Sequence, residues 1–239
     1  KRWPTGRRRT LPPWGACRGP AGGGVHARAA RTASTHMDSP DGLWLPLLTA
    51  RPVLPFERCS FHAARPHVCS VVRLCEQCQL SVATVPRGLH VGTALQLESV
   101  TDLDEGGLEV MAIGLYPFSI GEQGTMPYKA RARKAELVNV ARVVPLEDRG
   151  VARAGDCLAL QQQVLGLLGA LGKGEELRSA PADPAGFSWW AASKLPLAPS
   201  LRGPLLRVDD AMERLVICAA ALKPFASAKS CGSQLRAKL

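Results

Sequence analysis

Six side chains able to bind a soft metal crowd into residues 59–78: Cys59, His62, His67, Cys69, Cys75 and Cys78. Cys59-x-x-His62 followed by Cys75-x-x-Cys78 copies the spacing of a four-ligand zinc site, where thiolates and imidazoles close a tetrahedron. The residues between them argue for a different use. Val68, Val71, Val72 and Leu74 fall at helical spacing, and on such a stripe Cys69 and Cys75 read as small core residues. The expectation is a chain without metal or other cofactor, in which Cys59, His62, Cys75 and Cys78 are the one set that could hold zinc.

Nucleophilic and nucleotide chemistry find even less support. Ser193 and Lys194 are adjacent, and neighbours on a helix diverge by about 100°, so they read as a surface pair. Gly169 to Gly174 (GALGKG) lacks the G-x-x-x-x-G-K-[ST] spacing that wraps phosphates and reads as the end of a helix. No paired carboxylates and no Ser-His-Asp set stand out among the scattered acids and five histidines. The sequence therefore points away from an enzyme.

Charge gives binding chemistry instead. Lys129, Arg131 and Arg133 alternate with Tyr128, Ala130 and Ala132, which puts three positive charges on one strand face, suited to phosphate or to keeping a sheet edge solvated. Trp189 and Trp190 are adjacent, so only one is expected to be buried on a single helix face, leaving Trp190 as a candidate docking anchor. Net charge is +10, yet residues 1–37 hold eight of the 30 bases and no acid, and the remaining 22 bases nearly balance the 20 acids. That leader has ten Gly or Pro residues and no apolar periodicity, so it cannot offset its own ordering entropy. Within it Trp3, Trp14 and the run Arg7, Arg8, Arg9 could anchor on a partner: other protein subunits of a large complex, or RNA. An Arg-rich, acid-free leader has the composition of an organellar transit peptide, so the expected location is a plastid or a mitochondrion. The longest apolar run, Leu215 to Leu222, has eight residues, far short of the roughly 20 that span a bilayer. Aromatics at 5% argue against a base-stacking module.

The elements that must position these groups change character along the chain. With 239 residues and 46% hydrophobic content, one core is the default. After a leader over residues 1–42, Leu43 to Phe56 is apolar but punctuated by Pro46, Pro52 and Pro55, which suits an edge strand and an extended loop. Residues 67–77 read as a helix and Leu80 to Val85 as a strand. From Val91 to Ile120 alternation predicts a β-hairpin turning at Asp104 to Gly107, with a bulge at Gly114, and a further strand pair covers 128–134 and 136–144. The period then becomes helical: residues 157–171, 187–195 and 208–222, the last with Asp209 or Asp210 as N-cap and Pro224 beyond its end. This organisation reads as a β part over 43–150, a helical part over 151–222 and a C-terminal tail over 223–239.

Two stretches resemble a known family. Gly92-Thr93, the Asp104 to Gly107 turn, Gly114 and Phe118-Ser119-Ile120 are similar to the "GT…DG…G..RF.I" run of the Lon-protease N-terminal domain. Phe187-Ser188-Trp189-Trp190, Leu195-Pro196-Leu197, Leu205-Leu206, Asp209-Asp210 and Glu213-Arg214-Leu215 resemble the helical part of that family. Coverage is residues 43–222, and the best comparison is with stand-alone Lon-domain proteins of plastids and bacteria. The chain departs where the family has "LFPG", Glu-x-Arg-Tyr and Arg-Phe; it has Val53-Leu54-Pro55-Phe56-Glu57, Arg65-Pro66 and Pro117-Phe118. The resemblance implies an α+β fold, a PUA-like antiparallel β-barrel followed by a small helical bundle. It also implies a non-catalytic protein-binding or scaffolding module, here an accessory subunit of a large organellar assembly, with an RNA-associated subunit of an organellar ribosome or other ribonucleoprotein as the alternative.

Overall fold

From Leu43 the chain runs as β1 (Leu43–Thr49), β2 (Arg58–Ala63), α1 (Pro66–Cys78), β3 (Val82–Val85), β4 (Val91–Asp102), β5 (Leu108–Tyr128) and β6 (Glu136–Pro145). Helices follow: α2 (Ala154–Ala170), a 3₁₀ turn (Glu176–Ser179), α3 (Pro184–Ser193), α4 (Pro199–Leu205) and α5 (Ala211–Arg236). The computed structural model describes residues 43–104, 106–128, 136–149, 154–172, 176–195 and 197–236, with side chains except at 154, 155 and 225–236. The change from strand to helix period read in the sequence is therefore a real change of layer.

All six strands belong to one sheet, ordered β2-β5-β4-β3-β1-β6, and β6 also pairs with β5. The long β5 makes that return possible. Its first half pairs with β2 and β4, its second half with β6, and register slips between Ala94 and Leu95 and between Ile120 and Gln123 mark where it bends. The first slip sits at Gly114, the expected bulge. Bulges let a strand turn sharply and change partners without losing its ladder.

The pairing corrects the expected all-antiparallel sheet, because β1 and β3 run parallel, Leu47 opposite Ala83. A parallel pair needs a crossover, and β2 with α1 supplies it. Nor is β1 an edge strand. Residues 43–46 pair with β6 and residues 47–49 with β3, so Pro46 falls where the strand changes partner and needs no second ladder. The strand β2 was not foreseen in Arg-Cys-Ser-Phe-His-Ala, which has no β-branched residue.

Helix α1 covers the sheet. Pro66 stands in its first turn, Val71, Val72, Leu74 and Cys75 are buried, and Gln79 in the left-handed region (φ 53°) ends it. The helical layer has its own core of Val164, Leu168, Phe187, Trp190, Leu215 and Leu222. Asp183 caps α3 by accepting from Gly186 N at 2.6 Å, and Asp210 caps α5 by accepting from Met212 N at 2.7 Å. One expectation fails here. The helix expected to stop before Pro224 continues to Arg236 with that proline inside it. Pro199–Leu205, unassigned from the sequence, forms α4 with Pro199 in its first turn.

Candidate protein-binding surface

A strap, residues 50–57, crosses from β1 to β2 and is fastened to β4 and β5 by three hydrogen bonds. Thr93 Oγ1 donates to Val53 O at 2.6 Å, Phe56 N donates to Gly114 O at 2.8 Å, and Gly114 N donates to Glu57 O at 2.9 Å. These bonds explain two pieces of the sequence pattern. A Cβ on Gly114 would lie 2.2 Å from Leu54 O, and one on Gly92 would lie 2.1 Å from Thr84 O. Only glycine lets the strap and β3 approach so closely. Thr93, beside Gly92, then uses a buried hydroxyl as the strap's tether.

The strap also joins the two layers. Leu54 is fully buried within the helical core. Glu57 accepts from Leu54 N at 3.0 Å and pairs through its other oxygen with Arg202 of α4 at 2.5 Å. Arg202 Nε donates to Leu197 O at 3.3 Å. Both ends of this pair are mostly shielded, so it is less screened than a surface ion pair. A second junction is built on Arg214, which is fully buried. Its guanidinium donates to Ser188 Oγ at 2.9 Å, Val208 O at 2.7 Å and Asp148 Oδ2 at 2.7 Å, and it lies 4.1 Å from the Trp189 ring centroid. With three acceptors and an aromatic face, the desolvated charge is compensated.

Next to Glu57 the strap presents Phe56, whose backbone sits at φ 63° and which is 37% exposed. A bulky residue in the left-handed region is strained by about 1–3 kcal/mol, and such strain gathers at functional positions. Leu201, next to Arg202, is 53% exposed. Each partner of the Glu57–Arg202 pair thus has an exposed large apolar residue immediately before it in the chain, Phe56 and Leu201.

The sites read from the sequence are placed differently. Trp190 is buried, 3% exposed, with its ring centroid 5.5 Å from that of Phe187; Trp189 is buried too. Packing against α5 on one side and the Arg214 network on another buries both, so the one-face argument fails and Trp190 is a core residue. Its Nε1 and Gln161 Nε2 have no hydrogen-bond partner among the described residues. Lys129, Arg131 and Arg133, and Trp3, Arg7, Arg8, Arg9 and Trp14 in the leader, lie outside the described residues. What is described of the basic hairpin is its base: Tyr128 opposite Glu136, with the Tyr128 hydroxyl donating to Gln77 of α1 at 3.0 Å.

Cys59 and His62 stand three apart on a strand and so point to opposite faces. Cys59 is buried, and His62 is exposed, 3.9 Å from Glu109. Cys75 is buried and Cys69 donates to Ala63 O at 2.8 Å. Among the described residues no three His, Cys, Asp or Glu side chains are grouped to hold a metal. Burial pushes the Cys75 and Cys218 thiols up from 9.0 to about 12 and raises Cys59 as well. Protonated thiols are poor nucleophiles. A thiol raised in the folded state stabilises the fold below its unfolded value and loses that contribution as pH rises toward about 12. Stability is therefore expected to hold up to about pH 9 and then fall, as read by urea midpoints across alkaline pH. A midpoint that rises above pH 9 would contradict this. Ser193 donates to Trp190 O at 2.7 Å while Lys194 pairs with Glu176 at 3.1 Å, so each is engaged elsewhere.

No family model and no curated protein matches the sequence. Among solved structures, the chain is similar to the N-terminal domain of Mycobacterium avium complex Lon protease, with TM-score 0.56 and 16% identity over 76% of this chain and 98% of that one. A Lon N-terminal domain protein from Xanthomonas campestris is also similar, with TM-score 0.49 and 21% identity over 74% of this chain and 98% of that one. Identity so low with coverage so complete is a likeness of architecture, and it agrees with the glycines, threonine and buried arginine that the sequence shares with the family pattern: the chain has the fold of a Lon N-terminal domain.

Proposed function

We propose that this chain is a non-catalytic polypeptide-binding module, a PUA-like barrel with a small helical bundle, working as an accessory subunit of a larger organellar assembly. One observation carries the binding reading: on a Lon N-terminal fold, the strap places a partly exposed phenylalanine, Phe56, at the left-handed position of the Leu54–Glu57 turn, where glycine or asparagine would satisfy the turn without strain. The closed circuit of pairings β5-β4-β3-β1-β6-β5 supports the barrel. The organellar part rests on the acid-free composition of residues 1–37, whose charges suit an acidic or phosphate-bearing partner surface.

The test is binding of the full chain to a permanently unfolded polypeptide, reduced and carboxymethylated lactalbumin, by fluorescence anisotropy after nuclease treatment. Saturable binding that persists at high salt, with no cleavage of the polypeptide, is expected, because apolar docking survives salt while phosphate contacts do not. Retention that disappears with salt and returns only with RNA would replace this reading by the ribonucleoprotein one. For the location, a reporter carrying residues 1–42 is expected to enter plastids or mitochondria; a reporter left in the cytosol would remove that part.

A further inference from the structure

The sheet leaves one strand incompletely paired. Each strand of the circuit β5-β4-β3-β1-β6 has at least two neighbours, whereas β2 pairs only with β5 among the described residues. Its ladder there is regular, from Arg58 opposite Ile113 to Ala63 opposite Leu108, without a register shift. Natural sheets usually blunt such edges with proline, bulges or inward-pointing charge. Residues 58–63 have none of these: no proline, no bulge, and Cys59 and Ala63 turned inward. The edge is a row of backbone donors and acceptors in extended geometry, which another extended backbone completes.

The surroundings set the chemistry of that backbone. Arg58 and His62 stand on the exposed side of β2, and Arg65 follows at its end, exposed and without an ion pair among the described residues. Arg58 is bound to Glu98 at 3.2 Å, but its side chain is 72% exposed, so that pair exchanges readily for another carboxylate. A second copy of this edge would bring Arg58 and Arg65 against their own like charges, which disfavours self-pairing. On the inner side Phe61 and Val68 are partly exposed and would receive apolar residues. Phe56 stands two residues before β2, so the edge continues the surface described above.

We propose that β2 takes up an extended acidic polypeptide segment as an added strand, with carboxylates toward Arg58 and Arg65 and alternate apolar residues toward Phe61. This rests on the polypeptide-binding reading and names the form of its ligand. The probe is a short fluorescent peptide alternating glutamate and valine, titrated against the full chain. Along an added strand, successive N–H groups point alternately to β2 and away from it. N-methylation of every second residue in one register is therefore expected to weaken binding about tenfold or more, and in the other register to leave it unchanged. A lysine-valine peptide is expected to bind at least about tenfold more weakly, and the double variant Arg58→Glu, Arg65→Glu to reverse that order. Equal effects of the two registers would overturn strand addition, and tighter binding of the lysine peptide would overturn the acidic preference. In either case the unfolded lactalbumin measurement decides separately whether polypeptide binding itself stands. Dimerisation through β2, seen as loss of dimer in the same double variant, would also overturn the proposal.

Discussion

Gly114→Ala should destabilise the protein by about 3 kcal/mol. The added Cβ would meet Leu54 O at 2.2 Å and Pro55 Cα at 3.2 Å. Both are backbone atoms, which cannot rotate away as a side-chain tip can. Relief requires the strap to lift, and lifting it breaks Phe56 N to Gly114 O, Gly114 N to Glu57 O and the burial of Leu54 together. The measurement is the urea midpoint at unchanged slope. A loss below about 1 kcal/mol would show that the strap is not seated as described.

Arg214→Met ranks beside it. Methionine fills much of the volume, but the change leaves Asp148 without its cation and Val208 O without a donor, and breaking a buried pair from one side costs about 3–5 kcal/mol. Asp148 keeps some contact with water, so the lower end, about 3 kcal/mol, is expected. Removing the orphaned charge as well, in Arg214→Met with Asp148→Asn, should recover about 1 kcal/mol or more. A double variant no more stable than the single one would mean that the packing over Trp189, not the charge pair, is what Arg214 supplies.

How much of this was legible in the sequence follows from the range of the interactions. Period alone located α1, the β4–β5 hairpin, the bulge at Gly114 and the start of α5, because each is set by residues within a few positions. Gly92-Thr93 and Gly114 were visible as a pattern, but their meaning was not, since it lies in Val53, Leu54 and Thr84, which they meet across the sheet. Glu57 and Arg202 are 145 residues apart, beyond any local signal. Pro224 misled because proline removes only its own N–H and crowds the preceding turn. Leu215, Cys218 and Leu222 are buried on the turns before it, and the helix runs through. The cysteine and histidine spacing misled in the opposite way: a strand under Cys59 and His62 points apart two ligands that a turn would bring together. Trp190 read as exposed because its sequence neighbour seemed to exhaust the buried face, whereas partners on two sides enclose both rings.

The binding account rests most directly on Phe56, and Phe56→Asn tests it. Asparagine tolerates the left-handed region, so about 1 kcal/mol of strain is relieved while about as much ring burial is lost. Stability should therefore stay within about 1 kcal/mol of the parent. Affinity of the full chain for unfolded lactalbumin should nonetheless fall about tenfold, the cost of one central aromatic anchor. Unchanged affinity in a variant that folds as well as the parent would contradict the account.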